Sequence, residues 1–598
     1  MTTSAEIDAA VAGQTAPTLF RDTVARIPDA VAVRWKDGEE WREWTFAELA
    51  DLACRAAAGL AAAGIGKGDR IVLMMRNCPE FHVVDLAALL VGATPISIYN
   101  SSSPDQIEYL VGHCGAKLAF VEDASFADRF APVRANLPEL TTLGAVHPEG
   151  TDATVTFADL VAHEPVDLHE ASTIATPDDL VTIIYTSGTT GPPKGVMLTH
   201  YNVAWAGESL RLAIDATDTT GWRLVSYLPM AHIAERVTSH YSMMMLGYEI
   251  SCCPDPGAVA DFAREVQPQL MFGVPRVWEK IHARVTAALS ADPEKGRQFT
   301  EAVEAAKPIA ERKSWGTDTE EDRATWDFLD QVAFQGIRQL LGLDALNLAI
   351  SGAAPIPADL LAWYRAIGVP MSEIYGMSEN SGPMCWAPYK VRPGSVGPAV
   401  PGLEVALADD GEIVCRGGLV FQGYLNEPEK TAEALDPDGW LHSGDIGEID
   451  DDGYFKIVDR KKELIITAGG KNISPANLEA ALKSIPLVGQ ACAIGDKRPF
   501  VSALVVLDPD EAPVWAKQHG LEGLTLPELA DHPDVQAAID EGLATAMAEF
   551  NNAERVKKVK VLGEEWLPDS ELLTPTSKLK RRGIHATFAA EIEALYER

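Results

Sequence analysis

The chain has 598 residues, 47% of them hydrophobic and 23% charged, with a formal net charge of −37. That length exceeds one ordinary core and implies two or more domains. The acidity argues against a nucleic-acid partner, which would need a basic face. It reads as a solubility feature, because exposed charges beyond ~8 Å are screened and local lysines and arginines then decide the binding of anions. No apolar run reaches the ~18 residues of a membrane span, and Met1-Thr2-Thr3-Ser4-Ala5-Glu6 lacks a signal-peptide pattern. The expectation is a cytoplasmic protein with a peripheral membrane contact left open. The eight cysteines form no Cys-x-x-Cys pair, so reduced, mostly buried thiols are expected rather than a zinc or redox motif.

From about residue 17 to 175 helical and strand-like stretches alternate, which argues for a layered α/β sheet. Thr45 and Glu48 form a capping box ahead of a helix over 49–63, and Gly64-Ile65-Gly66-Lys67-Gly68 ends it. Those glycines follow a helix rather than a strand, so a turn is expected there, not a dinucleotide loop. Strands are predicted over 70–75, 95–99 and 117–122, with helices over 81–90 and from Pro104, a favoured first helical position.

Leu180-Val181-Thr182-Ile183-Ile184-Tyr185 reads as a buried strand. It runs into Thr186-Ser187-Gly188-Thr189-Thr190-Gly191-Pro192-Pro193-Lys194-Gly195, a loop dense in glycines and hydroxyls with one lysine. Backbone N–H groups, hydroxyls and an ammonium in one small loop suit a polyphosphate. The Gly-x4-Gly-Lys-Ser/Thr spacing of the common P-loop fails here. The plain alternative is a Ser/Thr/Gly surface turn.

Tyr185 to Gly195 resembles the phosphate-binding signature of the adenylate-forming (AMP-binding) superfamily, which includes acyl-CoA synthetases, luciferase-type enzymes and peptide-synthetase adenylation domains. Further blocks occur in the superfamily's order: Glu373-Ile374-Tyr375-Gly376-Met377-Ser378-Glu379, Trp440-Leu441-His442-Ser443-Gly444-Asp445 and Asp459-Arg460. The resemblance covers roughly residues 17 to 590. It implies an α/β fold with a large N-terminal domain, residues 1–458, made of layered α/β subdomains and a small β-rich subdomain. A small α/β C-terminal domain, residues 459–598, would be hinged to it.

The resemblance also implies roles. Thr186, Ser187, Gly188, Thr189, Thr190, Gly191 and Lys194 would hold the ATP phosphates. Gly352, Ala353, Ala354, Tyr375, Gly376 and Ser378 would surround adenine and ribose, with Tyr375 stacking on the ring. Asp445 would accept the ribose hydroxyls, since a carboxylate is acceptor-only, and Arg460 would approach the same sugar. Glu379, with Thr189, would hold Mg²⁺, a cation that prefers hard oxygens. His232 ends an apolar run and alone would read as structural; the resemblance places it beside the acyl group. Asp459 would be the hinge, and Gly469 and Gly470 would let a pantetheine arm pass. In the tail, Lys578 aligns with the superfamily's adenylation lysine, although Ser577 stands where many relatives have glycine and Lys580 is a near alternative.

Val274-Pro275-Arg276-Val277-Trp278-Glu279-Lys280 resembles a segment of long-chain acyl-CoA synthetases, and a helical stretch over 281–340 points to the long-chain and bubblegum-like branch. The implied reaction converts ATP, a long-chain fatty acid and CoA to acyl-CoA, AMP and pyrophosphate. Two alternatives stand beside it: acyl transfer to a carrier-protein thiol, and a catalytically silent nucleotide-binding protein. The sequence leaves chain-length preference and oligomeric state open.

Overall fold

The computed structural model describes residues 2–186, 192–216, 218–466, 472–548, 550–552, 554–567, 570–574 and 578–597. Of the expected site residues, Ser187, Gly188, Thr189, Thr190, Gly191, Gly469 and Gly470 lie outside the described residues.

The N-terminal part holds two large sheets. The first is parallel, in the order Thr94–Ser97, Arg70–Met74, Leu118–Val121, Thr142–Ala145, Val155–Thr156. The helix Pro79–Leu90 crosses between the first two of these strands, and every residue but Glu80 is buried, as expected for a helix apolar on nearly all sides. The second sheet has eight strands: Cys385–Trp386, Met371–Tyr375, Leu348–Ser351, Leu270–Gly273, Arg223–Ser226, Glu249–Cys252, Val31–Asp37 and Glu40–Thr45, in spatial order. Its centre is parallel and both outer pairs are antiparallel. Parallel strands covered on both faces need apolar residues throughout, which Leu348–Ser351 and Leu270–Gly273 supply.

The capping box forms as expected: Thr45 Oγ1 accepts from Glu48 N and the helix runs Phe46–Ala62. The stretch after residue 274 is a set of helices, Pro275–Ser290, Pro293–Trp315, Glu320–Leu329 and Gln335–Leu341. It is more than a solvated insertion. Trp278, Val303, Ala306 and Phe334 are buried in one apolar cluster with Tyr364 of the helix Ala358–Ala366.

A three-stranded antiparallel sheet joins Leu180–Thr186, Lys194–Thr199 and Gly423–Tyr424. A four-stranded antiparallel sheet follows, Glu404–Leu407, Glu412–Arg416, Leu441–Ile449 and Phe455–Arg460. The C-terminal part has its own sheet, Val488–Ile494, Val501–Leu507 and Val556–Leu562. Its two faces are buried in separate clusters: Ala491, Ala493, Ala503 and Val505 pack on one side, and Cys492, Ile494, Leu504 and Val506 on the other. That is the period-two alternation of a strand covered on both faces. All eight cysteines are free, and only Cys78 is partly exposed. Among the described residues no helix is long and apolar enough to cross a membrane.

Candidate active site

The phosphate-loop flanks are fixed by sheet pairing. Thr186 and Lys194 are cross-strand partners, so the strands enter and leave the loop side by side. Lys194 lies over the Tyr424 ring, 3.9 Å from its centroid. Such a contact favours the ammonium, while burial lowers its pKa and Glu379 pulls it back up. The Tyr424 hydroxyl donates to Glu379 Oε1 at 2.8 Å. Gly423 and Tyr424 pair with Met197 and Val196, which is how a distant tyrosine reaches both groups.

The 352–354 loop, expected to flank adenine, follows the strand Leu348–Ser351. Ala353 has φ +67°, in the left-handed region that non-glycine residues rarely occupy. A Cβ on Gly376 would stand 1.6 Å from the Gly382 carbonyl, so only glycine fits after Tyr375. Ser378 and Glu379 are buried in the short helix Ser378–Asn380. Glu379 is thus a lone buried carboxylate with one oxygen already bonded. Among the described residues no group of three or more His, Cys, Asp or Glu is arranged to hold a metal. The donor set fits a magnesium ion held mainly by substrate phosphates with one or two carboxylates, rather than a protein cage.

Asp445 and Arg460 are cross-strand partners, with Arg460 Nε 3.0 Å from Asp445 Oδ1. Tyr375 Oη donates to Asp445 Oδ2 at 2.6 Å. The three proposed sugar-side residues therefore meet at one carboxylate.

His232 accepts the Ala234 N–H at Nδ1, 3.1 Å away. A neutral ring bonded in that way carries its proton on Nε2 and is a donor there. Burial, with the Lys578 charge adding to it, pushes the His232 pKa down to about 4, so the neutral form is held at neutral pH.

Lys578 comes from the C-terminal part and reaches the same cleft. Its backbone closes a turn with Thr574, N to Oγ1 at 3.0 Å and O to N at 2.8 Å. Its side chain is accessible to solvent. Surrounding protein and the Arg460 guanidinium lower its pKa, against Asp445, Glu379 and Glu463, which raise it. Lys580 is placed otherwise: its Nζ donates to the Ser570 carbonyl at 2.7 Å within its own domain. Arg460, Asp445, Glu379 and His232 are thus all within electrostatic reach of Lys578, and Lys580 is not among them.

Asp459 Oδ2 accepts from Ser474 Oγ at 2.6 Å and Ala476 N at 2.9 Å. It ties the last strand of the β subdomain to the N-terminus of the helix Pro475–Lys483, where the helix dipole favours a carboxylate.

The AMP-binding enzyme family matches residues 20–425, and the AMP-binding enzyme C-terminal domain matches residues 462–598. The chain belongs to the AMP-binding enzyme family. Across 577 residues it is 34% identical to the long-chain-fatty-acid–CoA ligase FadD15 of Mycobacterium tuberculosis, covering 96% of this chain and 95% of that protein. It is 30% identical to the long-chain-fatty-acid–CoA ligase ACSBG1 of Homo sapiens, covering 97% and 85%. A fatty-acid–CoA ligase of Mycobacterium tuberculosis described as provisional, fadD11, is 44% identical over 70% of this chain and 74% of its own. Among solved structures, the adenylation domain of a carboxylate reductase from Mycobacterium chelonae aligns with a TM-score of 0.76 at 22% identity, covering 100% of this chain and 93% of that one. ATP-bound MatB from Rhodopseudomonas palustris aligns with a TM-score of 0.68 at 24% identity, covering 96% and 99%. At those identities the structural likeness shows the fold.

In this AMP-binding enzyme the sequence gives no warning of Tyr424. A Gly-Tyr pair in a β-rich stretch carries no chemical signature, and only the strand pairing reveals its partners. Glu235 was also missed. It is buried three residues after His232, accepts from Ser226 Oγ at 2.6 Å, and burial pushes its pKa up to about 7.

Proposed function

We propose that the protein is a long-chain fatty-acid–CoA ligase that works through an acyl-adenylate. The observation that carries this reading is the convergence of Arg460 and Tyr375 on Asp445, with Lys578 within electrostatic reach of Arg460, Asp445, Glu379 and His232. End-to-end likeness to proteins named long-chain-fatty-acid–CoA ligases supports the acyl class and the CoA acceptor.

In the first half-reaction a fatty-acid carboxylate oxygen attacks the α-phosphorus of ATP, forming the acyl–phosphate bond and releasing pyrophosphate. Two anions must approach, so the protein's contribution is positioning and electrostatic stabilisation. Lys578 offsets charge between carboxylate and α-phosphate, and Lys194 and the phosphate loop hold the leaving group. Asp445 and Arg460 hold the ribose, and Tyr375 and the 352–354 loop flank the adenine. His232 offers its Nε2–H beside the acyl carboxylate. Glu379, with Thr189, would hold Mg²⁺, which supplies charge neutralisation on the phosphates.

In the second half-reaction the CoA sulfur attacks the acyl carbon and AMP leaves. Gly469 and Gly470 line the thiol's path in this reading, and Asp459 is the pivot between an N-terminal domain of residues 1–458 and a mobile C-terminal domain of residues 459–598. The test is product identity: with long-chain acid and ATP, adding CoA yields a thioester and AMP. Acyl-adenylate that accumulates with CoA present and is consumed only by a carrier-protein thiol would overturn the CoA assignment.

A further inference from the structure

Lys578 can act only while the C-terminal domain is held against the N-terminal one, and among the described residues two ion pairs far from the Asp459 pivot bridge them. Arg276 Nη2 bonds Asp508 Oδ2, and Lys280 Nζ bonds Asp510 Oδ2 at 2.9 Å. The cations lie four residues apart in the helix Pro275–Ser290, so they share one face. That helix starts two residues after the strand Leu270–Gly273, whose neighbour Leu348–Ser351 leads into the 352–354 loop. The anions follow the central C-terminal strand Val501–Leu507.

The two pairs differ in weight. The Asp508 side chain is 5% exposed and Arg276 is 34% exposed, whereas Lys280 and Asp510 are 48% and 65% exposed. The first pair, with its carboxylate buried, is screened less, and the second is a solvated contact of small worth. Asp508 is also fixed from within its own domain, because Oδ1 accepts the N–H groups of Asp510 at 2.9 Å and Glu511 at 3.2 Å. Its other oxygen is thereby aimed at Arg276. The contact has the features of a docking point: a rigid acceptor on one domain meets a fork-shaped cation on the other.

We propose that Arg276, supported by Lys280, is a positioning residue for adenylation, docking on Asp508 to hold the C-terminal domain in the orientation that places Lys578 over the cleft. The inference rests on the adenylation reading given above. It separates the half-reactions: weakening the dock lowers the population able to adenylate and leaves thioester formation free of that constraint.

Arg276→Gln is expected to slow acid-dependent ATP–pyrophosphate exchange about tenfold, with thioesterification of supplied acyl-adenylate unchanged or faster. Lys280→Glu, which sets a carboxylate against Asp510, is expected to act in the same direction. Adding Asp510→Lys to Lys280→Glu is expected to restore exchange. Equal loss of both half-reactions, or exchange at the wild-type rate in Arg276→Gln, would overturn the proposal. The orientation itself is read without chemistry, from spin labels at Glu294→Cys and Gln518→Cys, both exposed positions. The distance distribution is expected to be broader with Arg276→Gln than without it, and identical distributions would also overturn the proposal. Loss of exchange in the wild-type protein, with the label result as expected, would instead count against the adenylation reading.

Discussion

The Tyr375 hydroxyl donates to Asp445 Oδ2 at 2.6 Å, while Arg460 stands 3.0 Å from Oδ1. Both oxygens of a buried carboxylate are engaged before any sugar arrives. In the proposed reading a ribose diol would share or replace the tyrosine's bond.

Asp445→Asn should raise the KM for ATP about tenfold or more, since hydrogen bonds to a charged group contribute about 1.5–3 kcal/mol. Tyr375→Phe keeps the ring and frees one carboxylate oxygen, so its KM for ATP should stay near the wild-type value. ATP titrations of the two variants decide the matter. A Tyr375→Phe penalty as large as that of Asp445→Asn would make the hydroxyl itself a nucleotide contact.

Lys578→Ala should slow adenylation by about 10²–10³, the scale of losing one charge-stabilising group, and spare thioesterification of supplied acyl-adenylate. Lys580→Ala removes only the bond to the Ser570 carbonyl and should leave adenylation in place. Pyrophosphate release from both variants is the measurement. The reverse pattern would move the catalytic role to Lys580.

Asp459→Pro deletes the acceptor of Ser474 and Ala476 and locks the backbone at that position. The expected outcome is a stoichiometric burst of pyrophosphate followed by slow CoA turnover, seen by quenched-flow assay. Steady-state turnover at the wild-type rate would remove Asp459 from the pivot.

Glu235 gives the stability a pH dependence. Burial raises its pKa from 4.5 to about 7, so the fold prefers the protonated carboxyl. That preference is fully present below pH 4.5 and is lost as pH rises through about 7. The loss amounts to about 3 kcal/mol, at 1.36 kcal/mol per pKa unit. Glu235→Gln keeps an acceptor for Ser226 without the charge. Its Tm should fall less than that of the wild type between pH 5 and pH 8, and parallel Tm curves would contradict the assignment.

Much of this molecule was legible because local chemistry determined it. The Thr45–Glu48 box, the apolar β-branched run at 180–185 and the proline opening the helix Pro104–Cys114 each satisfy a local rule. What was not legible depends on pairings between distant segments. The eight-strand order places residues 31–37 beside 249–252, which no periodicity specifies. Asp85 bonds Arg236 and His240, 151 and 155 residues away, in a fully buried network. In sequence nothing pairs Asp85 with two residues of a segment so far along the chain. The same holds for Tyr424, whose approach to Lys194 and Glu379 exists only once Gly423–Tyr424 joins the phosphate-loop sheet.

The proposed function is acyl activation with delivery to CoA. The most direct measurement is acid-dependent pyrophosphate release and acyl-CoA formation across straight-chain acids from acetate upwards, with and without CoA. One methylene in an apolar pocket is worth about 1–3 kcal/mol, so the account predicts a broad optimum at long chains with thioester formed only when CoA is present. A maximum at short acids, or pyrophosphate release without any acyl-CoA, would contradict it.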